Sequence, residues 1–165
     1  MLGRILGSGY DVTEEGCCGR TTVYDTGIDS FVDGMPYLYP CLESHQPLEL
    51  VVLMLGTNDV GNGAKKNAYY AAAGAQRPKI LLISPPLIRA QLPLDMDQVF
   101  DCPYAHEQSL LFRKYYSAVA EQCGCSFLAA EDYAEAGADG VHITRESHLR
   151  LAQAIAEKTK ELFAD

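Results

Sequence analysis

Three short apolar runs cross this chain without alternation: Leu50-Val51-Val52-Leu53-Met54-Leu55, Ile80-Leu81-Leu82-Ile83 and the weaker Ser126-Phe127-Leu128-Ala129. A strand with one wet face alternates apolar and polar residues. A continuous run of this length is covered on both faces, as in a parallel sheet held between layers of helices. Helical periodicity fills the intervals. Residues 35–44 set Tyr37, Leu38, Cys41 and Leu42 at helical spacing, and residues 65–75 are rich in Ala. Residues 107–122 repeat Leu110, Leu111, Tyr115, Ala118 and Val119 before stopping at Gly124, and residues 145–163 repeat Leu149, Ala152, Ile155 and Leu162. Residues 10–14 alternate weakly and are read as a fourth strand. Strands alternating with helices predict an α/β fold with a mainly parallel sheet. No linker, repeat or low-complexity stretch divides residues 1–165, a length that suits one domain with one core. Residues 25–34 and 85–106 are predicted to be irregular, and Leu92, Leu94, Met96, Phe100 and Tyr104 in the second suit the wall of an apolar pocket.

Charge narrows the partners. Against 22 Asp and Glu stand 13 Lys and Arg, a formal net charge of -9, which argues against non-specific binding to nucleic acid or to an anionic membrane. No apolar run approaches the ~20 residues of a membrane helix. The six cysteines (Cys17, Cys18, Cys41, Cys102, Cys123, Cys125) contain no C-x-x-C pair, so a zinc or thioredoxin-like reading lacks its ligand spacing. They are read as thiols in a reducing cytoplasm. The first residues are too short and interrupted for a signal peptide, in keeping with a cytoplasmic location.

In an open α/β sheet the site lies beyond the carboxyl ends of the strands, and three segments fall there. Gly16-Cys17-Cys18-Gly19-Arg20-Thr21-Thr22 follows the first strand candidate, and its glycines let a backbone N–H face a ligand. Gly56-Thr57-Asn58-Asp59 follows Leu55. Asn58 offers an amide donor, and Asp59 is placed to cap the next turn. In Asp139-Gly140-Val141-His142 the carboxylate can reach the imidazole, accept from Nδ1–H and leave Nε2 as a base. Each segment alone has a structural reading: a tight turn, an Asx turn, a helix start. His45, His106 and His148 lack a carboxylate in such a position and are assigned structural roles. Together, two donors and an Asp–His pair are the parts of an acyl-transfer site. A flavodoxin-like binder of nucleotide or flavin lacks any G-x-G-x-x-G or P-loop pattern here.

These residues resemble the SGNH (GDSL-type) hydrolase superfamily. Gly19 matches its block II glycine, Gly56-Thr57-Asn58-Asp59 its block III, and Asp139-Gly140-Val141-His142 its block V. Glu14-Glu15-Gly16-Cys17-Cys18-Gly19-Arg20-Thr21-Thr22, Tyr37-Leu38-Tyr39-Pro40-Cys41-Leu42-Glu43-Ser44-His45 and Ser84-Pro85-Pro86 look like the arylesterase and acyltransferase branch. The resemblance covers nearly the whole chain. It implies a flavodoxin-like sheet of five parallel strands, with Asn58 and the Gly19 N–H as oxyanion donors, His142 as base and Asp139 as its orienting partner. It further implies hydrolysis of small esters without metal or cofactor, acyl transfer to alcohols beside it, and a homo-oligomer.

The family's first block, Gly-Asp-Ser, is absent from these 165 residues. It supplies the nucleophile and stands after the first, central strand, so both are expected to be missing from an N-terminally incomplete domain. The expectation is of a longer natural chain that carries them. Ser8 in Gly7-Ser8-Gly9 reads as part of a helix-to-strand turn, and Ser30 and Ser44 align with non-catalytic stretches, so the nucleophile is unknown. A vacant central position leaves two ladders to close up or to be filled by another segment or chain. Only residues 60–78 join the first and second runs, enough for the ~10–12 residues of a short crossover but predicted to leave one sheet face thinly covered. A truncated or degenerate esterase with little activity follows. A non-catalytic binding or assembly module derived from the same fold is the alternative.

Overall fold

The computed structural model describes residues 1–22, 32–60 and 79–164. Its centre is a parallel sheet of β1 (Leu50–Leu53), β2 (Lys79–Ser84) and β3 (Ser126–Ala129), in the spatial order β1-β2-β3. Val51 faces Ile80 and Leu53 faces Leu82 across one ladder; Leu82 faces Phe127 and Ile83 faces Leu128 across the other. The continuous apolar runs are explained by what covers them. On one face Leu82 and Phe127 pack against Phe112 and Tyr116 of α5 (Phe112–Cys123), with Ile88 and Phe100. On the other, Leu81, Ile83 and Leu128 pack against Leu151 and Ala154 of α6 (Arg145–Leu162). Leu81 and Ile83 are fully buried, so β2 is the axis of the core. The helix α6 starts where Thr144 caps it, its side chain accepting from the Ser147 N–H.

The remaining elements are α1 (Leu2–Leu6), which packs on α6, α2 (Gly34–Ser44), capped by Asp33, α3 (Leu94–Phe100), α4 (Cys102–Ser109), and 3-10 turns at Asn58–Val60 and Ala130–Asp132. Three expectations need correction. Residues 10–14 form no strand: neither this segment nor the outer edge of β1 has a ladder partner among the described residues. The stretch 85–106 is irregular only as far as Pro93; from Leu94 it is helical, with a break at Asp101. There Met96 and Leu92 pack against the core around buried Phe100 instead of lining an open pocket, while Leu94 is exposed. The periodicity over 107–122 belongs to two helices. The helix α4 is pinned to the segment after β2, since the Ile88 N–H donates to Ser109 Oγ (3.1 Å) and the His106 ring bonds the Ile88 carbonyl (2.7 Å), whereas α5 packs on the sheet. Leu110 and Leu111 continue the apolar pattern across the break and hide it. The Asp59 carboxylate reaches Thr22, and the turn or helix after Val60 that it is expected to cap lies outside the described residues. The predicted helix over 65–75, Ser30 and most of the irregular stretch 25–34 lie outside the described residues.

Candidate active site

The end of β1 turns sharply at Gly56, whose φ of +123° suits glycine alone. A Cβ there would sit 2.0 Å from the Tyr116 hydroxyl, which donates to the Leu55 carbonyl just before it. Burial, with the Asp59 charge added, pushes the Tyr116 phenol well above its ordinary range, so it stays a donor at any physiological pH. This turn delivers Asn58 and Asp59 to the carboxyl end of the sheet. Asn58 Nδ2 donates to the Arg20 carbonyl at 3.0 Å, tying the turn to the loop of Gly19. The buried Asp59 carboxylate accepts from the Thr22 N–H at 3.0 and 3.1 Å and from the Thr22 hydroxyl. Its burial raises the carboxyl above the usual range, against the pull of those bonds. Gly19 is exposed in the turn closed by the Arg20 N–H on the Cys17 carbonyl (3.3 Å), with φ +77°. The predicted oxyanion donors Asn58 and Gly19 therefore stand in one connected unit, although one amide hydrogen of Asn58 is already engaged by protein.

The second half of the site follows β3. The His142 ring bonds Asp139 Oδ2 through Nδ1 at 2.7 Å, and Asp139 Oδ1 accepts from the Val141 and His142 N–H groups at 3.0 and 2.9 Å. Burial acts to raise the Asp139 carboxyl, but the Val141 N–H and the His142 ring and N–H outweigh it, holding the group below the usual carboxylate range. The carboxylate thus stays charged where an imidazolium would form, and Nδ1–H on Asp139 leaves the lone pair on Nε2. Gly140 makes the loop possible: it has φ +77°, and a Cβ there would lie 2.3 Å from Leu92. The Arg89 N–H donates to the Gly140 carbonyl at 2.9 Å and the Arg89 guanidinium to the Ala136 carbonyl at 2.9 Å, so the Asp139–His142 loop is docked on the segment that follows β2.

Both halves lie at the carboxyl ends of the strands, with α4 between them: it contacts the Asn58–Val60 turn and holds Ile88 next to Arg89. The His142 ring gives its hydrogen bond to Asp139, and Ser8, the weak serine candidate, sits exposed in the turn between Gly7 and Tyr10. Ser84, at the end of β2, is fully buried and its hydroxyl has no partner. Ser44 donates to the Cys41 carbonyl. Among the described residues no serine is hydrogen-bonded to His142. The sequence reading missed Thr22 and Tyr116, which hold the block around Gly56–Asp59. Their partners are 37 and 61 residues away, and no local pattern marks them.

No protein-family model matches the sequence, and no curated protein matches it either. Solved structures do. The fold is similar to a carbohydrate acetylesterase from Sinorhizobium meliloti, with a TM-score of 0.85 and 33% identity, covering 98% of this chain and 83% of that one. It is similar to the native aryl esterase of M. smegmatis, with a TM-score of 0.87 and 30% identity over 98% and 83% of the two chains. A second carbohydrate acetylesterase family member from Sinorhizobium meliloti superposes at a TM-score of 0.85 with 26% identity, covering 99% and 85%. Sequence identity at this level over most of each chain, on one shared fold, shows common descent: the chain belongs to the SGNH hydrolase superfamily.

Proposed function

We propose that this chain is an SGNH-type module for small esters, of the arylesterase and acyltransferase kind, that carries the acid–base and oxyanion side of the site without its nucleophile. The observation that carries this reading is the Asp139–His142 pair, a 2.7 Å bond with the carboxylate held ionised by two backbone N–H groups. In the proposed reaction a serine hydroxyl attacks the ester carbonyl while its proton passes to His142 Nε2. Asp139 stabilises the imidazolium, the Gly19 N–H and Asn58 Nδ2 receive the developing oxyanion, and the same proton then leaves with the alcohol. Water repeats the sequence on the acyl-enzyme. The serine of a Gly-Asp-Ser block does not occur in these 165 residues. Without a nucleophile a triad site retains only what oxyanion donors and binding supply, roughly 10³–10⁴ over water in the serine-protease case. Hydrolysis of p-nitrophenyl acetate by the chain is therefore expected to show no burst and to owe any residual rate to binding and the oxyanion donors rather than to His142. A burst of p-nitrophenol that His142→Ala abolishes overturns the reading.

A second reading, an assembly module, is favoured by the outer edge of β1. That edge has no partner among the described residues, Val52 and Met54 beside it are 38% and 42% exposed, and a groove of about 330 Å³ separates it from residues 13–17. An unpaired apolar edge is a template for strand addition, including by a second copy. Sedimentation across a range of concentrations tests it: self-association that Val52→Lys weakens supports a homo-oligomer built on this edge, and a monomer at every concentration removes it.

A further inference from the structure

The groove beside β1 ends in a cluster that the ester chemistry does not use. Cys41 lies in the last turn of α2 and His45 four residues on, at its C-terminal end, while Glu15 reaches across from the extended segment before Gly19. One atom from each (a Glu15 carboxylate oxygen, Cys41 Sγ and a His45 ring nitrogen) converge within 4.8 Å of one another. The surrounding hydrogen bonds decide which atoms remain available. His45 Nδ1 lies 2.8 Å from the Cys41 carbonyl, which can only accept, so Nδ1 carries the proton. Ser44 Oγ stands 3.2 Å from the same nitrogen, and Cys41 Sγ 3.9 Å. His45 Nε2 lies 3.3 Å from Glu15 Oε1. The other carboxylate oxygen, Oε2, accepts from the Tyr37 hydroxyl, over whose ring the Arg20 guanidinium stacks at 4.1 Å.

A dication bound between these atoms would take the place that an Nε2 proton fills in the His45–Glu15 ion pair. We propose that Glu15 Oε1, Cys41 Sγ and His45 Nε2 bind a zinc ion that pins the extended segment to the end of α2. One thiolate, one imidazole and one carboxylate make a set that zinc accepts, with water in the fourth position. Bond lengths of about 2.0–2.3 Å place tetrahedral ligand atoms roughly 3.3–3.8 Å apart. The nitrogen–oxygen spacing of 3.3 Å already fits, and the thiol has to move closer to complete the set. Charge balances: the Cys41 thiol gives up its proton to solvent, and two anionic ligands neutralise the dication. The His45 Nδ1–H on a backbone carbonyl and the Tyr37 hydroxyl on Glu15 are the outer bonds that orient such ligands. The site has a structural consequence. The segment carrying Glu15 lacks a ladder and leads directly to Gly19 and Arg20, whose carbonyl holds Asn58, so the ion would fix the loop of the oxyanion side.

The test uses the full 165-residue chain, reduced and metal-free, titrated with zinc by calorimetry and with cobalt(II) by absorbance. The expected result is one ion per chain, a thiolate-to-cobalt charge-transfer band, and a rise in Tm with zinc. Cys41→Ser should abolish the band. His45→Ala and the surface change Glu15→Gln should each weaken binding by about tenfold or more. Cys17→Ser with Cys18→Ser should leave both readouts unchanged. Circular dichroism of each variant keeps misfolding separate from lost ligation. No binding, or a cobalt band that survives Cys41→Ser or is lost with Cys17 and Cys18, overturns the proposal. None of these readouts depends on esterase activity.

Discussion

The two edges of the sheet are built differently. Toward β3, strand β2 is paired on both sides and packed on both faces, and the loop after β3 holds Asp139 and His142 with backbone hydrogen bonds of its own. Toward β1 no further strand pairs among the described residues. Residues 10–17 join no ladder there, Val52 and Met54 are exposed, and a groove lies between that segment and β1. The Asp139–His142 pair follows β3, on the closed half of the sheet, where the strands are covered on both faces.

Breaking the closed half should have the largest effect. Ile83→Ala empties a fully buried position between β2 and α6 and is expected to cost about 2–5 kcal/mol, read from urea unfolding. Gly56→Ala forces a side chain into the Tyr116 hydroxyl at a backbone angle that disfavours it, for about 2–4 kcal/mol. Val52→Ala at the open edge should stay within roughly 0.5 kcal/mol. If the edge substitution proves as costly as Ile83→Ala, the contrast between the halves is wrong.

Acid titration sharpens the same contrast through two carboxylates of opposite sign. Asp59 has its pKa raised by burial, so its ionisation opposes folding. Its contribution is full below the unfolded value of 3.8 and is lost as pH rises through the folded value. Asp139 has its pKa lowered, so its contribution is present above 3.8 and is lost as pH falls through the folded value. Relative to the parent, Asp59→Asn should look best at neutral pH and worse on acidification. Asp139→Asn should look worst at neutral pH and improve on acidification. Unfolding midpoints of the two variants from pH 3 to about 7 check the pair of slopes; parallel slopes contradict the assignment.

The closed half was the legible half. Continuous apolar runs at 50–55, 80–83 and 126–129 announce two-sided burial because their own residues record it, and Asp139 and His142 are close enough in sequence for the bond between them to be foreseen. The open half was not. A weak alternation over residues 10–14 cannot show whether a neighbour exists to pair with it. Asp59 with Thr22, Tyr116 with Leu55, and Glu15 with Cys41 and His45 join residues far apart, and no spacing rule reaches them. The helix α3 went unread for another reason: Pro93 at its start and Asp101 in a left-handed conformation at its end frame only a short element, and these residues also suit a loop.

The most direct test of the central claim is covalent labelling of the 165-residue chain with a fluorophosphonate, read by intact mass. The account predicts no His142-dependent adduct, because among the described residues no serine is hydrogen-bonded to His142. One phosphonyl group on a serine of this chain, lost in His142→Ala, would show that the nucleophile is present after all.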